Sequence, residues 1–140
     1  MMTYLESVAK AVDGLMKNNK RCIYLGEDVR SGQRGISDGL IKKYGAERVV
    51  DTPISESAFS GYALGLAIAN YRPIVEFNFA GLVYVCLDQL FNQASKFKKM
   101  SGNKKNVPII YVLPTGTKGG LAGHHSDNPY STLTHLGIQS

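Results

Sequence analysis

The chain has 140 residues, with 16 Lys and Arg against 11 Asp and Glu, a net charge of +5 and 44% hydrophobic residues. This is an ordinary globular balance, long enough for one core without disulfide or metal staples. The longest apolar runs, Ile109–Leu113 and Ala63–Ala69, fall far short of the about 18 residues of a membrane span, so no membrane association is expected. No basic stretch leads into an apolar one at Met1–Glu6, which argues against a secretory signal and for the cytoplasm. Cys22 and Cys86 lie in hydrophobic segments without CxxC spacing and read as buried free thiols.

There is no internal repeat and no linker, so the chain reads as one succession of alternating elements. Leu5, Val8, Ala9, Val12, Leu15 and Met16 form one stripe of a helix over Thr3–Asn19, with Glu6, Lys10, Asp13 and Lys17 away from it. Cys22–Leu25 is a short strand ended by Gly26, and Ile36–Tyr44 a helix stopped by Gly45. Val49 and Val50 make a strand that Pro53 breaks, and Ser55–Asn70 is apolar nearly all round, as a buried helix is. Ile74–Phe77 is a third strand, Leu82–Lys99 a long helix, and Val107–Leu113 a continuous apolar strand. Apolar strands without alternation, separated by helices, predict an α/β fold, a three-layer parallel sheet with helices on both faces.

Lys96, Lys98, Lys99, Lys104 and Lys105 crowd together, but with Ser101 and Gly102 they read as a helix end, where cations complement the dipole. No nucleic-acid motif accompanies them, and none is expected as a partner. After Pro114 comes a glycine-rich loop, Thr115–Asp127, too long to be a mere connection. It should lie beyond the carboxyl ends of the strands, where open α/β sheets bind ligands. Lys118 precedes the glycines rather than closing them, which excludes a nucleoside-triphosphate loop. The adjacent His124 and His125 do not point the same way from an extended backbone, against a metal site with Asp127. In Asp51-Thr52-Pro53-Ile54-Ser55-Glu56, Ser55 suits a helix cap and Glu56 the first turn. The same junction would also set the Glu56 carboxylate in an apolar cleft, with burial and helix end pulling its acidity in opposite directions.

Leu25-Gly26-Glu27-Asp28-Val29, Asp51–Glu56, Arg72-Pro73-Ile74, Asp88-Gln89, Asn92-Gln93-Ala94, Met100-Ser101-Gly102, Val107-Pro108 and His125-Ser126 occur together in one family. The chain resembles the beta subunit of thiamine-diphosphate-dependent 2-oxo acid dehydrogenases of the pyruvate and branched-chain type. The resemblance implies that residues 1–140 form the pyrimidine-binding domain, without the usual carboxy-terminal domain. It implies an oxidoreductase component active only with an alpha-type subunit, which holds magnesium and the diphosphate, in a self-associating heterotetramer with an acyltransferase core as a further partner.

By the same resemblance Glu56 bonds N1′ of the aminopyrimidine, so that the 4′ nitrogen takes the thiazolium C2 proton. Ile54, Asn78 and Leu82 contact the cofactor, and His125 faces the substrate. Leu82 stands where an aromatic residue is usual, Val112-Leu113 replaces an arginine and a small residue, and Asp127 a glutamine, departures that bear on cofactor affinity and substrate. Two other readings keep these motifs: a catalytically silent domain that binds or regulates an alpha-type subunit, and a thiamine-diphosphate carboligase of the transketolase kind.

Overall fold

The computed structural model describes residues 1–116 and 120–137. Helix α1, Tyr4–Asn18, opens with a reciprocal cap in which the Thr3 hydroxyl accepts from the Glu6 amide and the Glu6 carboxylate accepts from the Thr3 amide. Strand β1 is Cys22–Gly26, β2 Val49–Asp51, β3 Arg72–Glu76 and β4 Ile110–Val112. All are parallel, in the order β2-β1-β3-β4. Val12 and Met16 of α1 cover one face of the sheet with Tyr24, Val49 and Ile74. Helix α3, Glu56–Ile68, covers the other, where Phe59 and Ala63 meet Leu25, Val75 and Phe77. The three-layer α/β arrangement expected from the apolar strands is the one observed.

The chain leaves β1 in one direction to reach β2 and crosses back over it to β3, so the strand order reverses between β1 and β3. At such a reversal the connections diverge to opposite faces and leave a crevice beyond the strand ends. Gly26 ends β1 there, and a side chain at this position would strike the Glu76 carbonyl. The bare backbone lets β1 and β3 finish level, as Gly26 pairs with Glu76.

Several expected elements differ. The helix read over Ile36–Tyr44 is confined to α2, Leu40–Tyr44, because Gly39 takes φ +71° and breaks the turn while Ile36 and Leu40 stay buried. The long helix read over Leu82–Lys99 is three segments: a 3₁₀ helix over Ala80–Cys86, a π-helix over Asp88–Ala94, and α4 over Ser95–Met100. In the first, Ala80, Val83 and Cys86 are buried, a spacing of three that lines up along a 3₁₀ helix and drifts on an α-helix. Ser55 precedes α3 without making a side-chain cap bond. Two short helices the periodicity did not suggest follow β4: α5, Ala122–His125, and α6, Tyr130–His135.

The lysine cluster behaves as a helix end. Lys98 and Lys99 sit in the last turn of α4, Lys96 lies 3.8 Å from the centre of the Phe91 ring, and Lys105 donates to the Ile68 carbonyl at 3.4 Å. Cys22 and Cys86 are buried free thiols, and burial pushes the Cys86 thiol up to about 11. No described helix is long and apolar enough to cross a membrane.

Phe77 is fully buried, edge-on to Phe59 at 5.2 Å between ring centres and 6.3 Å from Tyr111. Phe77→Ala should therefore cost about 3–5 kcal/mol, read from urea unfolding. A loss below about 1 kcal/mol would show that this core collapses around the cavity.

Candidate functional site

The crevice between β1 and β3 is lined by the residues that follow each strand. Glu27 comes directly after β1 and Asn78 two residues after β3, and they meet: the Asn78 amide nitrogen donates to Glu27 Oε2 at 2.5 Å. Glu56, the first residue of α3, is 8% exposed and lies within hydrogen-bonding reach of Glu27. Burial is the main force raising the Glu27 pKa, the neighbouring Glu56 charge adds to it, and the Asn78 amide opposes it. Glu27 Oε1 is buried without a hydrogen-bond partner. A second carboxylate beside Glu27 disfavours its ionised form, which is why the Glu56 charge acts in the same direction as burial.

Beneath them Glu76, at the end of β3, is 2% exposed and takes the Tyr24 hydroxyl at 2.5 Å. Burial raises its pKa, while the Tyr24 hydroxyl and the Arg34 charge pull the other way. Arg34 links this floor to the rim. Its Nε donates to Asn78 Oδ1 at 3.3 Å, and its guanidinium carbon lies 4.4 Å from the centre of the Phe79 ring. The His125 ring is 4.2 Å from the same ring centre. His125 reaches this place because Gly81 has no side chain: a Cβ there would come within 2.9 Å of the His124 carbonyl oxygen and 3.1 Å of Asp127 Cβ.

Of the expected site residues, three are linked by contacts at this end of the sheet. Glu56 and Asn78 are both in the Glu27 cluster, and His125 joins it through Phe79 and Arg34. Leu82 is half-buried against the core of the α3 face, and Ile54, just before α3, is 84% exposed. Lys118 and Gly119 of the glycine-rich loop lie outside the described residues. Among the described residues no three His, Cys, Asp or Glu side chains gather as a metal site would require.

Glu27, named only within the Leu25–Val29 motif, and Arg34 and Phe79 receive no site role from the sequence. Glu27 had a readable signal, a carboxylate directly after an apolar strand and Gly26. Arg34 had none, because it comes from an irregular connection.

Residues 1–137 match the model of the transketolase pyrimidine-binding domain. The chain belongs to that family. It is 40% identical over 136 residues to the beta subunit of the pyruvate dehydrogenase E1 component, mitochondrial, of Caenorhabditis elegans, covering 96% of this chain and 39% of the relative. The corresponding subunits of Bos taurus and Homo sapiens are each 39% identical over 127 residues, covering 89% of this chain and 35% of theirs. The chain therefore spans little more than a third of the length of these relatives. In this pyrimidine-binding domain Glu56, Glu27 and Asn78 occupy the crevice of the sheet, the place where α/β folds hold ligands.

Asn78→Ala removes the donor that favours ionised Glu27, leaving burial and Glu56 unopposed. The folded-state midpoint of Glu27, followed by carboxyl-carbon NMR, should move further up. Because a carboxyl with a raised folded pKa contributes stability that is lost as pH rises through that pKa, the window of loss should also extend to higher pH. An unchanged or lowered midpoint would show that Asn78 does not set the acidity of Glu27.

Proposed function

We propose that this chain supplies the pyrimidine half of a thiamine-diphosphate site in a 2-oxo acid dehydrogenase, completed by an alpha-type subunit that holds the diphosphate and magnesium. The observation that carries this reading is the pairing of Glu56 with Glu27 in a buried crevice of a pyrimidine-binding domain. The residues fit an aminopyrimidine. A ring nitrogen is an acceptor that needs a proton donor, and a carboxyl group in its protonated form provides one. Ile54 and Leu82 offer apolar surface beside it. Leu82 keeps the shape of a ring platform without the stacking attraction. When bound, the cofactor supplies the nucleophilic carbon and the electron sink for decarboxylation.

Glu56 holds a proton at the ring nitrogen, and Glu27 relays protons to it. Asn78 fixes the orientation of Glu27, so its carboxyl meets Glu56 without a search among rotamers. Phe79 positions His125 at the mouth of the crevice, where an imidazole can orient the substrate or give a proton to what forms from it. The exposed Ile54 and the level strand ends leave this face for the alpha-type subunit to cover. Names of the similar proteins support the beta-subunit role, and an acyltransferase core would receive the acyl group.

In the assembled complex Glu56→Gln should lower turnover by about 10²–10⁴-fold with folding intact, since Gln keeps size and burial. Near-normal turnover would remove Glu56 from the mechanism. His125→Ala should abolish acyl transfer while some decarboxylation persists; unchanged transfer kinetics would place His125 outside the site. The deciding measurement is cofactor content, by conversion to thiochrome, in the complex purified through a tag on this chain. About one cofactor per chain is expected, and none with cofactor in excess would make this a silent partner-binding domain.

A further inference from the structure

Three arginines in this fold pack against protein, and one of them differs in how its guanidinium is used. Arg48 directs Nε to the Cys22 carbonyl and Nη2 to the carbonyls of Met16 and Asn19. Arg30 directs Nε to the Val49 carbonyl and Nη2 to that of Ala46. Both act as bolts between chain segments. Arg34 uses only Nε, on Asn78 Oδ1, and lies over the Phe79 ring. Among the described residues neither of its Nη groups has a hydrogen-bond partner and no carboxylate forms an ion pair with it, the one pair there being Lys43 with Asp13.

A guanidinium held by its Nε and by a ring, with its fork left open, is arranged to receive a planar or tetrahedral oxyanion. The buried Glu76, whose charged form the Arg34 charge favours, takes the Tyr24 hydroxyl on Oε2 and forms no ion pair with Arg34. The fork lies at the same ring as His125, at the mouth of the crevice. We propose that Arg34 is the receptor for a second anionic group, a carboxylate or a phosphate, at the non-reacting end of the substrate. The reacting carboxylate is not its target: it loses its charge as carbon dioxide departs, so a guanidinium bound to it would stabilise the starting state and slow the reaction. Contact with a remote anion is made equally before and during reaction, and sets which substrate is chosen. This inference rests on the reading of the crevice as a 2-oxo acid site.

The test uses the full 140-residue chain, labelled with ¹⁵N, and follows the Arg34 Nε–Hε resonance at constant ionic strength. Glutarate and glycerol 3-phosphate are titrated in separate arms, with sodium chloride as the control. A saturable shift is expected with at least one of them, and the tighter arm tells carboxylate from phosphate. Arg34→Gln should weaken that binding by about tenfold or more, as loss of a charged hydrogen-bond donor does. Arg34→Lys, with its charge but no fork, should fall between. No saturable shift at Arg34, or unchanged affinity in Arg34→Gln with a native amide spectrum, overturns the proposal. Saturable binding in a chain whose complex holds no thiamine diphosphate would keep the anion receptor and remove the proposed cofactor role.

Discussion

The parallel register of β1 on β3 is the constraint on which the rest of this molecule depends. It aligns Gly26 with Glu76, and only a residue without Cβ tolerates the Glu76 carbonyl at that point. With the two strands finishing level, Glu27 and Asn78 emerge side by side and bond across the crevice. The Thr52 amide donates to the Gly26 carbonyl at 2.9 Å, which ties the segment leading to Glu56 to the same strand end. Three separate strand ends therefore converge because β1 is in register with β3 on one side and with β2 on the other.

Low dielectric gives that convergence its chemistry. In water, Glu27 and Glu56 would both be ionised at neutral pH and indifferent to each other. Here partial burial and the neighbouring Glu56 charge push the Glu27 pKa up, and the Asn78 amide opposes them. Below, the Tyr24–Glu76 pair is a second polar layer inside a largely apolar sheet, with Glu76 Oε1 left without a partner. An unsatisfied buried carboxyl costs about 1–3 kcal/mol. That cost lies under the crevice, where polar groups facing a ligand must be anchored from beneath.

The rim is built differently from the floor. Phe79 has no charge and no proton to give, yet it gathers Arg34 and His125 around one ring. Stacking of this kind fixes direction without using up hydrogen-bonding groups, so both side chains keep polar atoms to present outward. The approach of the His125 segment relies on Gly81, which lies beside Leu82 in the first turn of the 3₁₀ helix. His125 and Leu82 are in this way placed by one short, tightly wound stretch.

The sequence by itself determined the α/β class, the four strands and the buried thiols, because apolar runs and breakers act locally; it pointed to Glu56 and His125 through motifs tied to residue type. Its helical readings failed where tertiary contact overrode local period: Gly39 adopts a left-handed turn, and Ala80, Val83 and Cys86 follow the sheet surface at a spacing of three. The partners of Glu56 were decided only by the tertiary structure. Glu27 and Asn78 are 51 residues apart in the chain, and Arg34 and Asn78 are 44 apart. No local pattern encodes such neighbours. They are set by strand register and by burial, which also settles whether a carboxyl in that place keeps its proton.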